Sequence, residues 1–443
     1  MDVTLPVRRE ASRLADRAAA CSLPVLAWVA PLGLAQLRAV PFFGAVSGVN
    51  AALSVSEPVD FAAVALGRVA TLFPVGDLTM RLSLLGAVVG ALAVYLWTRV
   101  GLELAAWLRP PPRARLGPDD AVHEPVAVLG AVAAVTLCGP VLTHYTTASA
   151  AQALSLGFVA AWAWAVTLLL RDPADARAAL AASFLAGVTA VSAPTVAPLL
   201  LPPGLVFWVW GLKRRARWAL LGPLAFALGT APGLGGAAVG FGDTARWAGW
   251  FDLISLGVFR RAAGQVGFEV WWQTAVSLAD GLGVVAVLLA LLGLGVLALR
   301  LPSWGGLVLY GTWAGVLSAA GAGVAREARL ADFLGFVMPA LAAGILHFSA
   351  KLGRARLPAA LALSLMCLVA PVMSGGLARF GPDGRLPLHL LSRAEWRLPP
   401  RSAVDPGSDE LRLVFRYGAA LGVRPDLVIR PGAVARDAPA SAP

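Results

Sequence analysis

SAAQALSLGFVAAWAWAVTLLLR, residues 149–171, carries no charge before its final arginine. As a helix, residues 149–170 would extend about 33 Å, close to the hydrocarbon thickness of a bilayer. Polar and apolar residues do not alternate with period two, so the stretch does not read as a half-buried strand. It is apolar on every side, which suits a helix enclosed by protein or lipid.

Working outward, ten further apolar stretches occupy approximately residues 22–40, 80–107, 125–142, 176–192, 195–212, 217–236, 271–299, 303–322, 331–349 and 356–374. The chain is 58% hydrophobic and only 14% charged, with a mean hydropathy of +0.75. Those values lie far from soluble-domain composition. Backbone polar groups in lipid must be satisfied internally, and without strand alternation helices are the only way to do so. The expected fold is therefore all-α: a polytopic transmembrane bundle of about eleven helices, with interfacial helices on its outer face and a short extracytoplasmic tail.

Arginine placement orients the bundle. The leader holds Arg8, Arg9, Arg13 and Arg17, and every second connection is again basic: Arg109, Arg113 and Arg115; Arg171 and Arg177; Lys213 to Arg217; Arg300; Lys351, Arg354 and Arg356. By the positive-inside rule the N-terminus is cytoplasmic, and an odd number of helices leaves the tail outside. Residues 1–21 then read as a cytoplasmic leader, 22–375 as the transmembrane domain and 376–443 as the extracytoplasmic tail. Within that tail, 410–429 reads as a small α/β element, followed by a disordered end. The leader is too polar for a signal peptide.

The net charge of +11 follows from topology and an arginine-rich tail, and no basic stretch has the aromatic interleaving of a nucleic-acid surface. Cys21, Cys138 and Cys367 lie in or beside apolar segments without CxxC spacing, which argues against a disulfide framework or zinc site. Abundant Ala, Gly and Arg with scarce Lys point to a bacterial source and hence to the inner membrane. The helix interiors read as nearly free of ionisable groups, which disfavours an ion-coupled transporter.

Two outer loops are long enough to carry structure. In 41–79, Phe61, Val64, Ala65, Val69 and Leu72 recur at helical spacing before Pro74, as in an interfacial or re-entrant helix. In 237–270, Trp247, Trp250 and Phe251 suit the headgroup level, and Arg260 and Arg261 suit anionic headgroups or phosphate.

LGRVATLFPVGDLTMRLSLLGAVVGALAVYL (66–96) resembles a conserved segment of the GT-C superfamily of membrane glycosyltransferases, the bacterial relatives of protein O-mannosyltransferase-like polytopic proteins. Leu66, Gly67, Arg68, Pro74, Gly76, Asp77, Arg81 and Ser83 fit its pattern. Four further stretches resemble family segments in the same order: 146–166, 240–264, 326–343 and 398–429, with Asp332 at an acidic family position. The resemblance implies transfer of a sugar from a polyprenyl-phosphate donor to an extracytoplasmic acceptor, with a loop carboxylate as base and a divalent metal as the cofactor that reaction admits. Implied partners are membrane lipid, the lipid-linked sugar and a protein partner, and no nucleic acid.

The departures fall on the polar motifs. The family's Asp-Ser-Gly-Glu falls on Pro41-Phe42-Phe43-Gly44 or Ser47-Gly48-Val49-Asn50, and its His-Pro-Pro-Gly-Tyr-Pro on Ser56-Glu57-Pro58-Val59-Asp60-Phe61. Its Glu, Tyr and His in the fourth helix fall on Ala150, Gln152 and Ser155, and its polar turn on Ser192-Ala193-Pro194. The catalytic candidates are then Glu57, Asp60 and Asp243, although Asp60 and Asp243 equally suit helix N-caps. Arg260 and Arg261 are candidates for the donor phosphate, since guanidinium forks match phosphate oxygens, and equally for loop anchors. His144 and Asp332 complete the outer-face set, with Arg329 three residues before Asp332 as a helix-surface partner. Three readings stay open: glycosyltransferase, catalytically inactive scaffold or partner, and lipid-linked substrate transporter.

Overall fold

The computed structural model describes residues 78–108, 150–192, 197–240, 282–321, 326–352, 355–373, 403–404 and 428–429, with single positions at 69, 72, 269, 272 and 276. The expected spans 22–40 and 125–142 lie outside the described residues, as does nearly all of both outer loops. The helices are α1 (Leu78–Leu108), α2 (Ala150–Arg171), α3 (Ala176–Ser192), α4 (Ala197–Lys213), α5 (Trp218–Gly240), α6 (Val284–Arg300), α7 (Pro302–Gly321), α8 (Arg326–Ala350) and α9 (Arg356–Met373). The two-residue strands β1 (Ala403–Val404) and β2 (Val428–Ile429) pair in parallel. Among the described residues the architecture is otherwise all-helical. No helix among them is long and apolar enough to cross a membrane.

Two boundaries differ most from the sequence reading. The expected 271–299 helix is interrupted at Gly283, whose φ of 81° is incompatible with a right-handed helix and accessible to glycine, so α6 starts at Val284. Conversely α8 begins at Arg326, five residues before the apolar run, because Arg326, Glu327 and Arg329 are good helix formers that extend it by more than a turn.

Local chemistry explains the turns at one end of the bundle. Asp175 caps α3, its Oδ1 accepting the backbone N–H groups of Arg177 at 2.9 Å and Ala178 at 3.2 Å. α4 closes with Ala216 N–H donating to Gly211 O and Arg215 N–H to Leu212 O. That Schellman geometry puts Arg215 in the left-handed region at φ 54°, a place usually held by glycine.

α8 is the central post, packing against α1, α2, α6, α7 and α9. Every residue from Gly335 to Leu346 is buried. Trp97 of α1 meets Phe336 edge-on, ring centroids 5.2 Å apart, an arrangement that matches the ring quadrupoles. Two crossings are backbone-close. At Gly293 of α6 a Cβ would strike the Ala340 carbonyl, and at Gly344 of α8 it would strike the Leu289 carbonyl. Gly187 of α3 and Gly229 of α5 meet the Phe226 and Phe184 carbonyls in the same reciprocal way. Any larger residue would push these helices apart.

The outer surface is apolar too. On α6 the inner face buries Ala286, Leu289, Gly293, Val296 and Leu297. Its other face exposes Val284, Leu288, Leu291, Leu292 and Leu299, the last at 87%. α5 exposes Leu220 at 77%, with Leu221, Leu224 and Leu228 beside it.

Candidate functional site

Tyr95, Arg99 and Glu103 recur every fourth residue on α1, so they share one face of that helix. The face is turned toward α2. Arg99 lies over the Trp164 ring at 4.9 Å from its centroid and makes a long Nη1 contact to the Tyr95 hydroxyl at 3.4 Å. One turn further on, Arg171 Nη1 donates to Glu103 Oε1 at 3.0 Å. Glu103 is 1% exposed, whereas the Arg171 side chain is 29% exposed. A carboxylate removed from water in this way depends on its cation, since an unpaired buried charge costs several kcal/mol. This charged seam locks the end of α2 to α1.

The ends of α1, α2 and α6 meet at that level. Arg300 Nη1 donates to the Leu108 carbonyl at 3.2 Å, which satisfies one of the orphan carbonyls at the end of α1. Trp107, Arg171, Arg300, Ser303 and Trp304 line a cavity of about 250 Å³ there. The same end carries the 172–175 turn, whose Pro173 carbonyl accepts the Trp218 indole N–H at 3.2 Å.

A larger groove of about 430 Å³ lies between α2, α3, α4 and α5, lined by Trp162, Leu169, Ala182, Trp208, Trp218 and Phe226. Three of its donors are already engaged. Ser183 donates to Ala179 O at 3.0 Å, Trp208 Nε1 to Ala219 O at 2.8 Å and Trp218 Nε1 to Pro173 O. A wall this apolar, with three of its donors already engaged, suits a hydrocarbon chain.

The residues expected from sequence fall elsewhere. Glu57, Asp60, His144, Asp243, Arg260 and Arg261 lie outside the described residues. Asp332 lies in the second turn of α8. At Val69 and Leu72 of the expected interfacial helix the backbone is helical and both side chains are exposed. Among the described residues no group of three or more His, Cys, Asp or Glu could hold a metal ion. The carboxylates expected to serve a metal lie outside the described residues.

The expectation of nearly charge-free helix interiors needs correction at α1, which carries Arg99 and Glu103 toward its neighbour. Their four-residue spacing from Tyr95 was the available signal, because ionisable residues on one face of an apolar helix require an interior partner. Arg171 read as a loop charge. Only folding showed that it answers Glu103, 68 residues earlier. No protein-family profile, curated protein or solved structure matches the chain.

Proposed function

We propose that this chain is a multi-pass protein of a bacterial inner membrane that acts on a polyprenyl-phosphate-linked sugar at the extracytoplasmic face. The observation that carries the membrane part is α6, apolar on its packed face and equally apolar on its exposed one. Water would penalise that outer stripe by roughly 25 cal/mol per Å², whereas lipid would not. The glycine crossings fit the same setting, where close backbone approach replaces the hydrophobic effect in holding helices together. The meeting of Arg171 with Arg300, both on basic connections, agrees with one cytoplasmic end.

Because no helix among the described residues is long and apolar enough to cross a membrane, the proposal leans on outward faces and on the full helix sequences. α2, α5 and α8 are 22, 23 and 25 residues long, and α3, α4 and α6 are 17 each, against a requirement of about 17–25. The test is alkaline carbonate extraction of membranes from expressing cells. Release of the protein into the supernatant, with its helical circular dichroism intact, would overturn the membrane reading.

Sugar transfer rests on the resemblance to the GT-C superfamily. The apolar groove supports it only in offering a surface for an isoprenoid or acyl chain. In the reaction, Glu57 or Asp60 takes the acceptor hydroxyl proton, and the oxygen attacks the anomeric carbon. The carbon–oxygen bond to phosphate breaks and polyprenyl phosphate leaves, held by Arg260 and Arg261. A second reading, a catalytically inactive scaffold for an active partner, is favoured by the absence of acids where the family's acidic motif falls. Turnover of a polyprenyl-phosphate sugar by purified protein separates the two. Activity lost in Glu57→Ala or Asp60→Ala supports the enzyme; no turnover by the folded wild type leaves the scaffold.

A further inference from the structure

We propose that the cavity between the ends of α1, α2 and α6 and the start of α7 is a binding site for a phosphodiester group, supplied by an anionic phospholipid. Two guanidiniums line it, Arg171 and Arg300, together with Ser303 and Trp304. Each guanidinium has five N–H donors, and the described contacts employ one nitrogen of each: Nη1 of Arg171 on Glu103 and Nη1 of Arg300 on Leu108 O. Both side chains are thereby anchored at one nitrogen, which holds the rest of each fork in place.

The charge balance narrows the ligand. Among the described residues that line or brace the cavity, Arg171 and Arg300 bring two positive charges and the buried Glu103 one negative, an excess that suits a singly charged phosphodiester. Asp172 is not among the residues that line the cavity; in the 172–175 turn its Oδ1 accepts the Ala174 N–H at 3.0 Å. Trp304, itself 1% exposed, contributes a buried aromatic wall to the cavity. A volume of about 250 Å³ accommodates a phosphate and the first atoms of its ester arms, with Trp107 and Leu170 as apolar wall. Basic pockets between helix ends at the cytoplasmic surface are where anionic headgroups bind. The lipid source rests on the membrane reading; the anion chemistry does not.

The test uses the full chain purified in mild detergent, with native mass spectrometry counting retained phosphatidylglycerol against phosphatidylcholine. Wild type is expected to retain phosphatidylglycerol selectively, Arg300→Gln to weaken retention about tenfold, and Arg300→Lys to restore part of it. The double variant Glu103→Gln/Arg171→Gln removes both charges of the buried pair together. It is expected to keep the fold and to lose a further part of the selectivity. Inorganic phosphate is titrated in parallel. Competition at low millimolar concentration would assign the site to a free phosphate instead of a lipid and overturn the lipid source. Equal retention of both lipids by wild type, or no change in folded Arg300→Gln, would overturn the site. A protein that stays in membranes on carbonate extraction yet shows no selectivity refutes the site alone. One that is water-soluble and binds inorganic phosphate through Arg300 refutes the membrane reading and the lipid source with it, and leaves the anion site standing.

Discussion

α6 and α1 are both apolar helices by composition, and they use their inner faces in opposite ways. α6 gives its inner face to close backbone contact at Gly293 and to small and branched residues. α1 places Tyr95, Arg99 and Glu103 toward α2 and buries a carboxylate. The first association is tolerant of polarity changes elsewhere and intolerant of volume. The second tolerates modest volume change and is intolerant of any loss of charge balance. Both read as long apolar runs in the sequence, yet what they cannot lose is different.

The contrast can be broken most sharply at the buried ion pair. Arg171→Ala removes the guanidinium that faces the buried Glu103 carboxylate, and breaking that buried pair is expected to destabilise the protein by about 3–5 kcal/mol. The double variant with Glu103→Gln should recover most of that, as read from thermal unfolding in detergent. If the single variant is neutral, the seam is not a fastener. Leu291→Arg on the exposed face of α6 comes next: in a bilayer it should cost about 2.5–3.5 kcal/mol and reduce insertion, whereas on a water-facing surface it should stay within about 0.5 kcal/mol. Gly344→Ala adds a methyl group where the Leu289 carbonyl already sits. It should cost about 1–3 kcal/mol through overpacking, with Gly295→Ala, where nothing lies within 4 Å, as the harmless control on the same pair of helices.

The smallest effect is expected at Arg215. Its left-handed φ of 54° costs a side-chain-bearing residue roughly 1 kcal/mol, so Arg215→Gly should stabilise by up to about 1 kcal/mol, less the added freedom of the unfolded chain. A fall in the unfolding midpoint would mean that the Arg215 side chain makes a contact worth more than the strain.

Much of the helical layout was legible because apolar runs of bilayer-like length leave few alternatives. The 176–192 stretch coincides with α3, and 303–322 and 356–374 with α7 and α9 to within a residue. The failures have local causes. Hydropathy runs straight through Gly283, where a backbone angle ends the helix, and stops short of the polar first turn of α8. The Glu103–Arg171 pair was half visible, in the four-residue spacing along α1, and half hidden, since a terminal arginine looks the same whether it faces solvent or a buried carboxylate. β2 lies at the end of the 410–429 stretch read as an α/β element, but its partner at Ala403–Val404 had no signal, two residues being too few for a pattern.

What the sequence determined by itself was the inventory: apolar helices, short basic connections and a scarcity of polar side chains within the spans. Those follow from composition and period, which act locally along the chain. Only the tertiary structure decided which glycines would let backbones touch, and which arginine would balance Glu103. It also decided that Arg171 and Arg300 would share one cavity. These are relations between residues far apart along the chain, 68 positions for Glu103 and Arg171, and packing alone selects them.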